Sequence, residues 1–128
     1  MNLPRGPRAL VCGSRNGQPT DAEAFWLRTI LRRHRAVEVV HGGATGYDSW
    51  GGRIASALEL PVKIFEAHWR GHNGEYRPWA GPERNRLMVR YVCRFPGSFV
   101  VAFPGGKGTA STIWYAEKHG VPILRSPK

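Results

Sequence analysis

Short apolar runs that stop at glycine alternate with segments of helical periodicity along the whole chain, and this alternation constrains the fold more than any other feature. RALVCG over 8–13 has the unbroken β-rich character of a strand buried on both faces. Thr20 and Glu23 then form a capping-box pair, with Asp21 in the first turn of a helix that carries Trp26, Leu27, Ile30 and Leu31 on one stripe. VEVVHGG over 37–43 reads as a second strand, and Tyr47, Trp50, Ile54 and Leu58 share a helical face that ends before Pro61. A third strand is expected over 61–67. Helical spacing resumes with Arg84, Leu87, Met88, Tyr91, Val92 and Phe95. A fourth strand over 98–103 leads through PGGKGT into a helix with Ile113 and Ala116, which Gly120 and Pro122 stop ahead of a short strand over 121–124. Alternating strands and helices require parallel pairing with crossover helices. The expected fold is therefore α/β, a Rossmann-like three-layer α/β/α arrangement around a parallel sheet of about five strands.

In such sheets ligands bind beyond the carboxyl ends of the strands, near the point where strand order reverses. Three loops marked by glycine fall at those ends, beginning at Gly13, Gly42 and Gly105, and should converge on one crevice. In Pro104, Gly105, Gly106, Lys107, Gly108 and Thr109, three glycines let consecutive backbone amides face an anion at a helix N-terminus. This is not a Walker A loop, because the spacer before Gly-Lys is missing and Gly108 stands where Ser or Thr belongs. The plainer reading is a tight strand-to-helix turn. The second loop, HGGATGYD, contributes Gly42, Gly43, Ala44 and Gly46 but departs from the dinucleotide fingerprint G-x-G-x-x-G. Asp48 either accepts bonds from sugar hydroxyls or favours the first turn of its helix, and His41 is read as structural. In the third loop, Ser14 and Arg15 place a hydroxyl and a guanidinium just past a strand end.

Arg84 shares the stripe of Leu87 and Met88, so it should point inward near a helix N-terminus, where a cation opposes the helix dipole. An anionic ligand would resolve that conflict, and so would a salt bridge to a carboxylate such as Asp48. Residues 66–81 match neither period and hold His68, Trp69, His72, Tyr76 and Trp79. These flat side chains either stack on a base or pack the loop onto the domain. The two histidines lack a third ligand, so no metal site is expected.

One domain over 1–128, with 66–81 as a loop insertion, suits a chain of this length. No apolar run approaches the ~18 residues of a membrane span, and 1–10 holds no signal-peptide core. Cys12 and Cys93 read as reduced core residues of a cytoplasmic protein. Nineteen Lys and Arg, fifteen of them Arg, stand against nine Asp and Glu for a net charge of +10. That excess attracts nucleic acid and free nucleotides alike. LRRHR over 31–35 and the terminal RSPK also fit a solvated helix end and tail.

VCGSR, VVHGGATGYDSWGGRIA, AGPERNRLM and VAFPGGKGTASTIWYAEKHGVPI together resemble the SLOG superfamily, which includes the DprA/Smf proteins and the lysine-decarboxylase-like LOG phosphoribohydrolases. The resemblance runs from about Arg8 to Leu124 and is nearest to a small stand-alone branch related to YspA and YpsA. It implies the sheet order 3-2-1-4-5 and a crevice for nucleotides or nucleotide-derived molecules, with no cofactor. The LOG enzymes carry a catalytic glutamate in P-G-G-x-G-T-x-x-E and an arginine in an E-R-K-like stretch. Here Arg84 matches the arginine, Asn85 replaces the lysine, and Thr112 occupies the glutamate's position. A hydroxyl does not stabilise an oxocarbenium ion as a carboxylate does.

Binding of a nucleotide or nucleotide-derived small molecule is therefore expected ahead of catalysis. Loops 105–109 and 42–46 would cradle phosphate and ribose, Arg84 and Arg15 would neutralise charge, and Trp69 or Trp79 would cover the base. A nucleotide N-glycosidase with Asp48, Glu83 or Glu75 as a relocated carboxylate is one alternative. Single-stranded DNA binding, as in DprA, is another. A homodimer follows by analogy with related glycosidases.

Overall fold

The computed structural model describes residues 4–127; Met1, Leu3 and Lys128, at the ends of the two terminal segments read above, lie outside the described residues together with Asn2. Five strands and four helices alternate strictly: β1 (Arg8–Cys12), α1 (Asp21–Arg33), β2 (Glu38–His41), α2 (Tyr47–Ala57), β3 (Val62–Ile64), α3 (Ala80–Cys93), β4 (Phe99–Ala102), α4 (Lys107–Lys118) and β5 (Ile123–Arg125). The strands form one parallel sheet in the order β3-β2-β1-β4-β5, as the resemblance implied. Alternate residues of β1 explain the layers. Ala9 and Val11 face a core built with Leu27, Ile30 and Leu31 of α1 and Ala55 of α2. Leu10 and Cys12 face the opposite core, with Met88, Val89 and Val92 of α3 and Ala116 of α4. Helices thus cover both faces of the sheet.

Local signals set the element ends. The Thr20–Glu23 capping box forms as read, with Glu23 N–H donating to Thr20 Oγ1 at 3.1 Å and Thr20 N–H to Glu23 Oε1 at 2.9 Å. Gly120 follows α4 at φ +70°, a conformation that suits glycine. No helix among the described residues is long and apolar enough to cross a membrane.

Four expectations are corrected. β3 is shorter than 61–67, because it is an edge strand paired only with β2. β5 begins two residues after 121, because the Val121 N–H bonds to Ala116 O and closes the end of α4. The connection after β3 ends before Ala80 rather than at 81, since Ala80 and Gly81 already belong to α3 and Pro82 sits where a missing N–H costs no helical bond. Finally, Leu87 is 40% exposed and Cys93 is exposed; Met88 and Val92 face the core as read, and Val89 joins them there.

One buried charge was not anticipated. Arg8 is fully buried at the amino end of β1, where its Nε pairs with Glu38 at 3.2 Å and its guanidinium lies 3.6 Å from the centroid of the Phe95 ring.

Candidate functional site

Strand order reverses between β1 and β4, and the loops that leave their carboxyl ends are tied together: the Ser14 N–H donates to Pro104 O at 2.8 Å. Beyond this point lies a crevice of about 280 Å3. It takes Gly13, Ser14 and Arg15 from the first loop, Ala44 and Asp48 from the second, and Gly106, Lys107, Gly108 and Thr109 from the third. Arg84, Asn85 and Met88 of α3 close one side, and Thr112 of α4 lies at the wall. The three loops therefore meet at one place.

Their amides are not equally available. In the second loop the Gly42 N–H donates to Asp48 Oδ2 at 3.1 Å, and the Gly43 N–H donates to His41 Nδ1 at 3.0 Å. Asp48 thus occupies the place an anion would take on that loop. Gly46, at φ +76°, brings the chain to within contact of the Ser14 and Arg15 carbonyls, where a side chain has no room. The third loop is open. Gly106 caps α4 without a side-chain bond to its first amides, and the Cβ positions of Gly106 and Gly108 face empty space. The orphan N–H groups of the first turn of α4 and the positive end of its dipole therefore meet the crevice. Gly105 is needed for a different reason: a Cβ there would collide with the Thr109 side chain.

Asp48 is the one carboxylate among the crevice residues. Burial pushes its pKa up to about 6, against the opposing pull of the Gly42 amide and the Arg84 charge. Burial also lowers the pKa of His41, with Arg84 adding to the effect, so the ring stays neutral and accepts the Gly43 amide.

Arg84 points inward as expected, but it makes no salt bridge to Asp48. Its Nη1 donates to Gly42 O, and more weakly to Phe65 O at 3.4 Å; its Nε donates to Asn85 Oδ1 at 2.8 Å. Asn85 then donates through Nδ2 to Gly108 O at 3.2 Å, linking α3 to the start of α4. Thr112 donates to the same carbonyl at 3.3 Å. Asn85 is thus a brace between the arginine and the third loop, a role its alignment with a lysine did not suggest. Asn16, Cys12 and Met88 also line the crevice and carried no sequence signal beyond their nearness to the first loop and to Arg84.

Several expected residues lie elsewhere. Gly42 and Gly43 line an adjoining groove with Trp69, a groove that shares Arg15, Ala44 and Arg84 with the crevice. Trp79 and Glu83 line a further groove that again shares Arg84. Glu75 sits in an exposed pair with Arg77 at 3.3 Å. Pro104 and Gly105 shape the third loop without lining the crevice. The tryptophans miss it because residues 69–77 fold back as a small hairpin, bridged between Arg70 and Tyr76 and seated with Trp69 against Gly81 of α3.

Neither protein-family models nor curated protein sequences match the chain. Among solved structures it is similar to DNA processing protein A from Helicobacter pylori, a structure concerned with that protein's single-stranded DNA binding mode. The TM-score is 0.59 at 17% identity, over 97% of this chain and 66% of that one. It is also similar to DNA processing protein A (DprA) from Streptococcus pneumoniae, with a TM-score of 0.55 at 15% identity, over 93% of this chain and 58% of that one. The chain thus shares the fold of these proteins and spans about three fifths to two thirds of their length.

Proposed function

We propose that the crevice seats the phosphate backbone of single-stranded DNA. The observation that carries this reading is the open first turn of α4, whose free amides face the same space as Arg15, Arg84 and Lys107. Arg84 also lines two adjoining grooves, which gives a ligand longer than one nucleotide further surface to follow. The fold shared with DNA processing protein A favours the same partner. Kinship with the stand-alone YspA-related branch belongs to this reading as well.

A second reading, capture of a nucleoside monophosphate, is favoured by Asp48 and Asn85, polar groups at the crevice that suit a ribose. Hydrolysis of such a nucleotide would fall to Asp48, as Glu83 and Glu75 lie off the crevice and Thr112 holds the glutamate's place. Fluorescence anisotropy with a labelled oligothymidylate, in competition with nucleoside monophosphates, separates the two. We expect micromolar or tighter strand binding at low salt, weakened at least tenfold by Lys107→Ala with Arg84→Ala. Saturable monophosphate binding with no retention of the strand would replace the first reading by the second.

A further inference from the structure

Two grooves continue from the crevice along one side, and their chemistry differs from its own. The first holds Trp69, 36% exposed, whose ring lies nearly parallel to that of Tyr76 at 6.1 Å between centroids. The Arg70 guanidinium stands 5.6 Å from the Tyr76 centroid. In the second groove, Trp79 is 56% exposed beside Leu87, and Glu66 and Glu83 line it together with Arg77 and Arg84. Neither carboxylate forms an ion pair or accepts a side-chain hydrogen bond among the described residues. Arg84 lines all three depressions, so they adjoin one another.

Flat, exposed rings beside a cationic crevice do two things at once. They offer π faces on which unpaired bases of any sequence stack. Trp69 is also held in place rather than loose, since its indole packs on Gly81 so closely that a Cβ there would lie 2.7 Å from the ring. The carboxylates add discrimination. Glu66 and Glu83 repel backbone phosphate, and as ionised groups they only accept hydrogen bonds. A base in that groove is favoured when it carries an exocyclic amino group, which a carboxylate accepts from as it does from cytosine N4.

We propose that the 69–77 hairpin and the Trp79 groove form a base-reading platform for the strand whose phosphate sits in the crevice, with amino-bearing bases preferred over thymine. This rests on the strand-binding reading above. The charge pattern favours the occupant: the crevice sets three cations against the one carboxylate of Asp48, whereas the Trp79 groove balances Glu66 and Glu83 against Arg77 and Arg84 and so suits a neutral, donor-bearing ring better than a phosphate.

Oligodeoxycytidylate and oligothymidylate of eight nucleotides, compared at pH 7.5 and fixed salt, test this with ligands of equal charge and similar stacking. The cytidylate should bind about five- to thirtyfold more tightly, and Glu83→Gln with Glu66→Gln should remove the difference. Trp79→Ala should weaken both strands by about five- to hundredfold, with Trp79→Phe restoring most of the loss and circular dichroism confirming that the variants fold. Equal affinity for the two strands, or no response to Trp79→Ala, overturns the platform while leaving the crevice intact, provided Lys107→Ala still weakens both. Failure of the wild-type protein to bind either strand removes the strand-binding reading, and the platform with it.

Discussion

Asp48 is buried beside cationic groups and yet is harder to ionise than an ordinary aspartate, because burial outweighs the Gly42 amide and the Arg84 charge. Its rise from 3.8 to about 6 has a defined sign for stability. Between about pH 4 and 6 the folded protein holds a proton that the unfolded chain has released, so stability falls as pH rises through this window and is level above it. Asp48→Asn keeps an acceptor for the Gly42 amide and removes the ionisation. We expect it to raise stability at pH 7.5 by about 1–3 kcal/mol and by about a third as much at pH 4.5, as read by urea denaturation at the two pH values. A loss of stability at pH 7.5 would mean that the charged form is favoured where it sits. The same group sets a pH dependence of binding. Above pH 6 its negative charge opposes a phosphate in the crevice, so affinity for an oligothymidylate, which does not itself titrate in this range, should rise as pH falls from 7.5 to 5.5. The gain is bounded at about tenfold for each unit by which the ligand lifts the Asp48 pKa, and Asp48→Asn should abolish it.

Elements whose ends are dictated by neighbours in sequence were legible; those dictated by distant contacts were not. The start of α1 follows from Thr20 and Glu23 alone, and the three crevice loops follow from glycines at strand ends. The second loop was only half legible: Asp48 and His41 are near neighbours of the amides they accept, but residue type and spacing do not say that their side chains turn back on the loop. The positions of Trp69 and Trp79 depend on the Arg70–Tyr76 bridge and on packing against Gly81, and the burial of Arg8 depends on Glu38 from β2 and Phe95 beyond α3. Glu38 and Phe95 lie far from Arg8 in the chain, while the hairpin partners lie close together but follow neither a helical nor a strand period. Gly46 tests the claim that the first two loops act as a unit. At φ +76° and ψ −132° its backbone suits glycine, and a Cβ would lie 2.3 Å from Ser14 O. Gly46→Ala should therefore destabilise the protein by about 2–4 kcal/mol, lowering the melting temperature by on the order of 10 °C. Gly106→Ala meets nothing within 4 Å and should leave the melting temperature nearly unchanged while weakening the bound strand. Equal melting losses for the two variants would contradict the contrast drawn between the closed and open loops.

The charge of the whole molecule is unevenly relevant to the crevice. Helices return antiparallel to the strands, so the last turns of α1, α3 and α4 lie at the amino end of the sheet, away from the loops that bind. Arg32 and Arg33 lie in the last turn of α1 with Arg35 just beyond it, Arg90 lies in the last turn of α3 with Arg94 just beyond it, and Lys118 ends α4. These cations complement the negative ends of helix dipoles and stand too far from the crevice to meet a strand seated in it. Arg15, Arg84 and Lys107 are the cations at the crevice itself. Counterion release then distinguishes a local site from a diffusely basic surface. Three phosphate contacts on a single strand give a slope of about −2 in the logarithm of affinity against the logarithm of salt, a roughly 20-fold loss between 50 and 200 mM. Engagement of all seven phosphates of an eight-nucleotide strand by a diffusely basic surface would give a slope near −5 and a loss of about 10³-fold over the same interval. Titrations of an eight-nucleotide strand at four salt concentrations should return the shallow value, and Lys107→Ala should reduce the slope by about 0.7. Arg33→Ala, at the far end, should leave it unchanged. A steep slope insensitive to Lys107 but sensitive to Arg33 would move the binding surface from the loops at the strand carboxyl ends to the opposite pole of the sheet.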